Sequence, residues 1–158
     1  MVSIEKAYKV IQALTERHLT IGSVESLTGG LFASSLCSVP GASKVLKGGF
    51  VTYTPEAKHE LVGVSLADID RLGVVSEKVA TEMAVGGLRR LKVDVAVSFT
   101  GNAGPTAEPG EAPVGRVEMC IATKKGHVSM GQDFSGTRNE IREKAVEMML
   151  DALISIYA

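Results

Sequence analysis

Four groups of residues have the types and spacing to do chemistry. Glu25-Ser26-Leu27-Thr28-Gly29-Gly30 places a hydroxyl ahead of two glycines, where an extended run ends and a helix begins. At such a junction Ser26 stands at the edge of a sheet, and the free N–H groups of the following turn face whatever it attacks. Those donors can hold an oxyanion, and Gly29 and Gly30 let a ligand approach the backbone. Capping of the next helix by Ser26 and Thr28 accounts for the same residues without chemistry. The second group is Tyr53-Thr54-Pro55-Glu56-Ala57-Lys58. Lys58 falls in the first turns of a helix, where the dipole opposes its charge and burial would depress its pKa. A neutral Lys58 can act as a base toward Ser26; a solvated surface charge is the ordinary alternative. Tyr53 alone reads as a half-buried strand residue.

Thr100-Gly101-Asn102-Ala103-Gly104-Pro105 is the third group, and it follows the most apolar extended run of the chain. Ligands of open α/β sheets bind beyond the carboxyl ends of the strands, although a bare tight turn has the same composition. The fourth is Arg138 and Arg142, one helical turn apart at a helix start. Positive charge there opposes the dipole unless an anion is bound. The two can form a fork for phosphate or carboxylate, or pair with Glu140 and Glu143.

The elements that must position these groups follow from periodicity and punctuation. Ser3 can cap a helix running to about Arg17, with Ile4, Ala7, Tyr8, Ile11 and Leu14 as its apolar stripe. Thr20 to Glu25 reads as a strand, Leu31 to Leu36 as a buried helix start, and Gly49 to Tyr53 as a second strand. Pro55 suits the first turn of a helix over Glu56 to Leu61, and a further helical turn is expected from Leu66 to Arg71. Ser76 can cap a helix through Arg90, with Val79, Met83 and Leu88 inside. Val93 to Thr100 is dense in Val and nearly continuously apolar, the pattern of a central strand covered on both faces. Gly101 to Pro113 holds three glycines and three prolines and must be a loop. Val114 to Ala122 and His127 to Phe134 read as strands around a Lys124-Lys125-Gly126 turn. Thr137 and Glu140 form a capping box for a last helix to about Ile156. Its core-facing residues are expected to be Ile141, Ala145, Met148, Met149, Ala152 and Ile156. The alternation predicts an α/β layered sandwich with a mixed, mostly parallel central sheet flanked by helices.

Composition narrows the function. The 158 residues fit one domain, 45% hydrophobic and 22% charged, which excludes a disordered chain. Seventeen Lys+Arg against eighteen Asp+Glu give a net charge of −1, so no global field exists to hold nucleic acid or an anionic membrane. Aromatics are only 4%, which argues against base-stacking platforms. The two cysteines form no CxxC pair, and the three histidines show no metal-ligand spacing. No metal and no cofactor are expected. Neither GxGxxG nor GxSxG is present, and Arg116-Val117 stand where a phosphate-binding loop needs Lys-Ser/Thr. No secretory segment opens the chain, so a cytoplasmic location is expected.

Taken together, these segments resemble the CinA C-terminal family, the nicotinamide mononucleotide deamidases. The resemblance rests on E-S-x-T-G-G at 25–30, P-G-x-S at 40–43 and G-x-V-x-Y-x-x-E-A-K at 49–58. It continues with G-x-V-S-E at 73–77, T-G-x-A-G-P at 100–105, P-V-G-x-V at 113–117 and F-x-G-x-R-x-x-x-R at 134–142. The order is kept over nearly the whole chain. The resemblance implies hydrolysis of the carboxamide of nicotinamide mononucleotide, giving nicotinate mononucleotide and ammonia. It implies Ser26 as nucleophile, Lys58 as general base and Tyr53 in the same catalytic pocket. Thr28, Gly29, Gly30, Thr100, Gly101, Asn102, Ala103 and Gly104 would surround the small-molecule nucleotide substrate, and Arg138 and Arg142 would take its phosphate. A stand-alone single-domain deamidase, and a homo-oligomer, are expected. Leu27 replaces a usual cysteine, Asn102 a usual aliphatic residue, Ala112 a common lysine and Arg116 a usual threonine. The Thr106-Ala107-Glu108 stretch replaces a more Gly-rich one. A second reading is a catalytically silent nucleotide-binding or partner-binding module with the same fold; the altered 102–116 loop motivates it.

Overall fold

Side-chain caps punctuate the chain into alternating helices and strands, and these close into one sheet with helices on both faces. The computed structural model describes residues 1–158. In chain order the elements are α1 (Ile4–Glu16), β1 (Ile21–Glu25), α2 (Leu31–Cys37), β2 (Leu46–Val51), α3 (Pro55–Val62) and α4 (Leu66–Leu72). Then follow α5 (Glu77–Leu91), β3 (Val95–Gly101), β4 (Arg116–Thr123), β5 (Gly126–Asp133) and α6 (Arg138–Tyr157). Ser3, Thr54, Ser65, Ser76 and Thr137 each accept a backbone N–H at the start of a helix, and Thr137 with Glu140 completes the capping box.

The strand order is β2-β1-β3-β4-β5. β1, β2 and β3 are parallel, and β4 and β5 return as an antiparallel hairpin. Four of the five strands therefore run in one direction, and the sheet is mixed as expected. β3 is central and buried along nearly its whole length. α1, α2 and α6 pack on one face over Val95, Val97 and Phe99. α3, α4 and α5 cover the other, against Val24, Cys120 and Ala122. The two cysteines are free.

Three expectations need correction. β2 starts at Leu46, not Gly49, and ends before Tyr53. Pairing with β1 from Ile21↔Leu46 onward extends it through Lys47-Gly48-Gly49, a run whose own β-propensity is low. In α1 the buried stripe is Ala7, Val10, Ile11, Ala13 and Leu14, while Ile4 and Tyr8 are exposed. In α6 it is Ile141, Ala145, Val146, Met149, Leu150 and Leu153, and Ile156 is exposed. Both helices carry apolar residues on more than one side, so tertiary packing selects the buried face.

One close approach fixes α3. A Cβ on Gly86 of α5 would stand 1.9 Å from the Val62 carbonyl oxygen at the end of α3. Only glycine lets these helices come so near, and this seats α3 against the sheet at the carboxyl end of β1.

Candidate active site

Ser26 directly follows β1. Its N–H donates to the Phe99 carbonyl oxygen at 3.0 Å, which continues the β1–β3 ladder one step past the strand. On the other side Thr52 N–H donates to the Glu25 carbonyl oxygen at 2.8 Å. Ser26 is thus held between two neighbouring strands at the carboxyl edge of the parallel part of the sheet, where the topology favours a site.

Lys58 enters from α3. Its Nζ donates to Ser26 Oγ at 3.0 Å and to the Thr52 carbonyl oxygen at 2.8 Å. The side chain is only 1% exposed, and burial pushes its pKa down from 10.5 to about 8. A buried lysine with no carboxylate partner is uncommon. Here the Thr52 carbonyl orients the amine, and in the neutral form its lone pair can accept the Ser26 proton. Expected from residue types alone, the pair is brought to hydrogen-bond distance across 32 positions of sequence.

The turn after Ser26 is held from two sides. From within, the Glu25 carboxylate accepts the N–H groups of Gly30 (3.2 Å), Phe32 (2.9 Å) and Ala33 (3.1 Å), and the Ser23 hydroxyl at 3.0 Å. From α6, Arg142 donates through Nε to the Leu27 carbonyl and through Nη2 to the Thr28 carbonyl, both at 2.8 Å. Gly29 N–H donates to the Ser26 carbonyl oxygen at 3.0 Å. Of the N–H groups of this turn expected to be free, those of Gly29 and Gly30 are therefore engaged. The N–H groups of Leu27 and Thr28 make no intramolecular hydrogen bond. Gly30, at φ 101°, sits in the left-handed region that glycine tolerates best. Thr28 Oγ1 is buried without a partner.

The other expected residues are distributed around this centre. The Thr100 hydroxyl, next to Ser26 in the parallel register, donates to the Val74 carbonyl oxygen at 2.8 Å and so braces the α4–α5 connection. A hollow of about 420 Å³ lies there, lined by Gly73, Val74, Gly101, Asn102, Glu111 and Ala112. The Ala103 side chain packs into the core. Asn102 wires its own loop: Nδ2 donates to the Ala112 carbonyl oxygen at 2.9 Å, and Oδ1 accepts the Gly104 N–H at 2.9 Å. Gly104 turns the chain at φ 78°. Arg138 donates to the Gly104 carbonyl oxygen and, at 2.8 Å, to the Tyr53 hydroxyl. Tyr53 is 56% exposed, and its hydroxyl meets Arg138 rather than Ser26 or Lys58. Arg138 reaches the 104 loop and Arg142 the turn after Ser26. The residue that sequence reasoning passed over is Glu25, whose signal was an acid a few positions before a glycine-led helix start.

Comparison with known proteins places the chain in a family. The model of the CinA C-terminal domain family matches residues 4–157. A Levilactobacillus brevis protein named for competence-damage induction is 49% identical over 146 residues, covering 91% of this chain and 35% of the relative. The chain thus spans about a third of the length of such curated relatives. The Escherichia coli protein named nicotinamide-nucleotide amidohydrolase PncC is 40% identical over 146 residues, covering 92% of this chain and 88% of the relative. Among solved structures, the competence/damage inducible protein CihA from Agrobacterium tumefaciens superposes with a TM-score of 0.94 at 34% identity. That match covers 100% of this chain and 99% of the other. Sequence and fold agree, and the chain belongs to the CinA C-terminal domain family.

Proposed function

We propose that this chain is an amidohydrolase that converts nicotinamide mononucleotide to nicotinate mononucleotide and ammonia. The observation that carries the reading is the buried Lys58 amine hydrogen-bonded to the Ser26 hydroxyl at the edge of the sheet. The name of the Escherichia coli relative supports the choice of substrate. Lys58 takes the Ser26 proton as Oγ attacks the carboxamide carbon. The Leu27 and Thr28 N–H groups receive the developing oxyanion. The Lys58 ammonium gives its proton to the amide nitrogen, which leaves as ammonia as the C–N bond breaks. A water molecule, activated by the same amine, then cleaves the acyl-Ser26 ester and releases the acid. Arg138, with the donors that Arg142 has left, binds the phosphate.

Ammonia release from the mononucleotide tests the reading. Wild-type protein is expected to release it, and Ser26→Ala to release none while still folding, with a melting temperature lowered only by the loss of one hydrogen bond to Lys58. Turnover by a well-folded Ser26→Ala would remove Ser26 as nucleophile. Tight mononucleotide binding with no ammonia from the wild type would instead favour the silent binding module.

A further inference from the structure

We propose that Glu25 is a positioning residue of the reaction, acting through the turn that carries the oxyanion donors; this rests on the reading of Ser26 as nucleophile. Glu25 is 1% exposed and has no cationic partner. Four donors converge on its two oxygens instead: Gly30 and Phe32 N–H on Oε1, and Ala33 N–H and the Ser23 hydroxyl on Oε2. Burying an acid without a cation is costly, and a cap on a seven-residue helix is more than Ser, Thr or Asn would need. The arrangement is explained by what it holds in place.

Glu25 and Ser26 are adjacent, so the carboxylate closes a loop between the residue before the nucleophile and the residues just after the turn. Gly30 N–H is drawn inward to Oε1, and Gly29 N–H closes on the Ser26 carbonyl. With both glycine donors removed from the site, Leu27 and Thr28 N–H are the groups left open. The direction of the Thr28 N–H is set from the opposite side. Arg142 Nε holds the Leu27 carbonyl, and in a planar trans peptide the Thr28 N–H points the opposite way, away from α6. Glu25 fixes where the turn ends and Arg142 fixes how its first peptide is rotated. Oxyanion donors act only within a narrow distance of the developing charge, so loosening the Glu25 anchor lowers the rate more than it weakens substrate binding.

The test is Glu25→Gln in the full chain. The amide keeps the shape but points an NH2 at backbone donors on one side, so the turn loses its fit. The expected result is a kcat reduced about 10- to 100-fold, a fraction of what losing one oxyanion donor costs, with KM changed less than threefold. Ser23→Ala removes a single contact to Oε2 and is expected to lower kcat about 2- to 5-fold, again at constant KM. An unchanged kcat in a folded Glu25→Gln, or a loss confined to KM, overturns the proposal. If Glu25→Gln does not fold, Ser23→Ala decides, and wild-type kcat in that variant overturns it. Absence of ammonia release from the wild type would defeat the functional reading itself, and the positioning role with it. Wild-type turnover with insensitive variants defeats the positioning role alone.

Discussion

Lys58 shows how a common residue becomes reactive through its surroundings. A solvated lysine is almost entirely protonated near neutrality, but burial brings Lys58 down to about 8. A base must be neutral to take the Ser26 proton, so kcat/KM is expected to rise with pH through about 8 and level above it. Lys58→Arg keeps the charge but cannot deprotonate, and its kcat/KM is expected to fall at least about a thousandfold, the scale of losing a general base, with no alkaline recovery. Substantial activity in that variant would show that Lys58 supplies charge only. Arg142 also gains a definite role at this scale. Its guanidinium is first a clamp on the Leu27 and Thr28 carbonyls, with two of its five N–H groups left over for a ligand.

At the scale of elements, the Lys58–Ser26 contact depends on how closely α3 approaches α5. The Gly86–Val62 contact leaves no room for a Cβ. Gly86→Ala would gain helix propensity of about 1 kcal/mol, yet backbone overlap costs about 1–3 kcal/mol in a packed interior and the oxygen it meets cannot rotate away. The expected outcome is a lower melting temperature together with a reduced kcat, because Lys58 rides on the displaced helix. A Gly86→Ala variant with wild-type stability and rate would show that α3 reseats without moving Lys58. The same dependence explains β2. Its glycines let it lie tight against β1, where a Cβ on Gly49 would stand 2.6 Å from Ser23 Oγ. The strand then delivers the Thr52 carbonyl to Lys58.

For the whole molecule, the buried amine is a liability. The folded state lowers the Lys58 pKa from 10.5 to about 8, so between those values the unfolded chain binds more protons and stability rises with pH. Below pH 8 the penalty is fully present; at about 1.4 kcal/mol per pH unit it amounts to about 3.5 kcal/mol. Lys58→Met removes it and leaves the Thr52 carbonyl unpaired, which costs about 1–3 kcal/mol. The variant is therefore expected to be about 0.5–2.5 kcal/mol more stable than wild type at pH 7. That advantage should shrink as pH rises toward 10.5. Denaturant midpoints of both proteins at pH 7 and pH 10 measure it, and a constant difference would count against the buried charge. The trade of stability for a reactive group is common at catalytic sites.

The sequence by itself determined the punctuation and order of the fold. Ser3, Ser76 and the Thr137–Glu140 box start helices where expected, because capping involves residues only three positions apart. The apolar run of β3 likewise announced a strand covered on both faces. Ser26 and Lys58 were legible as reactive types in suitable local settings, and the ordered motifs pointed to the family. The tertiary structure decided which faces α1 and α6 bury, where β2 begins, which N–H groups of the nucleophile turn remain open, and what Glu25, Arg138 and Arg142 touch. Each of these is a contact between segments distant in the chain: Arg142 reaches residues 114 and 115 positions away. Local propensity and spacing carry no information about a hydrogen bond whose partner is supplied only when helices and strands pack.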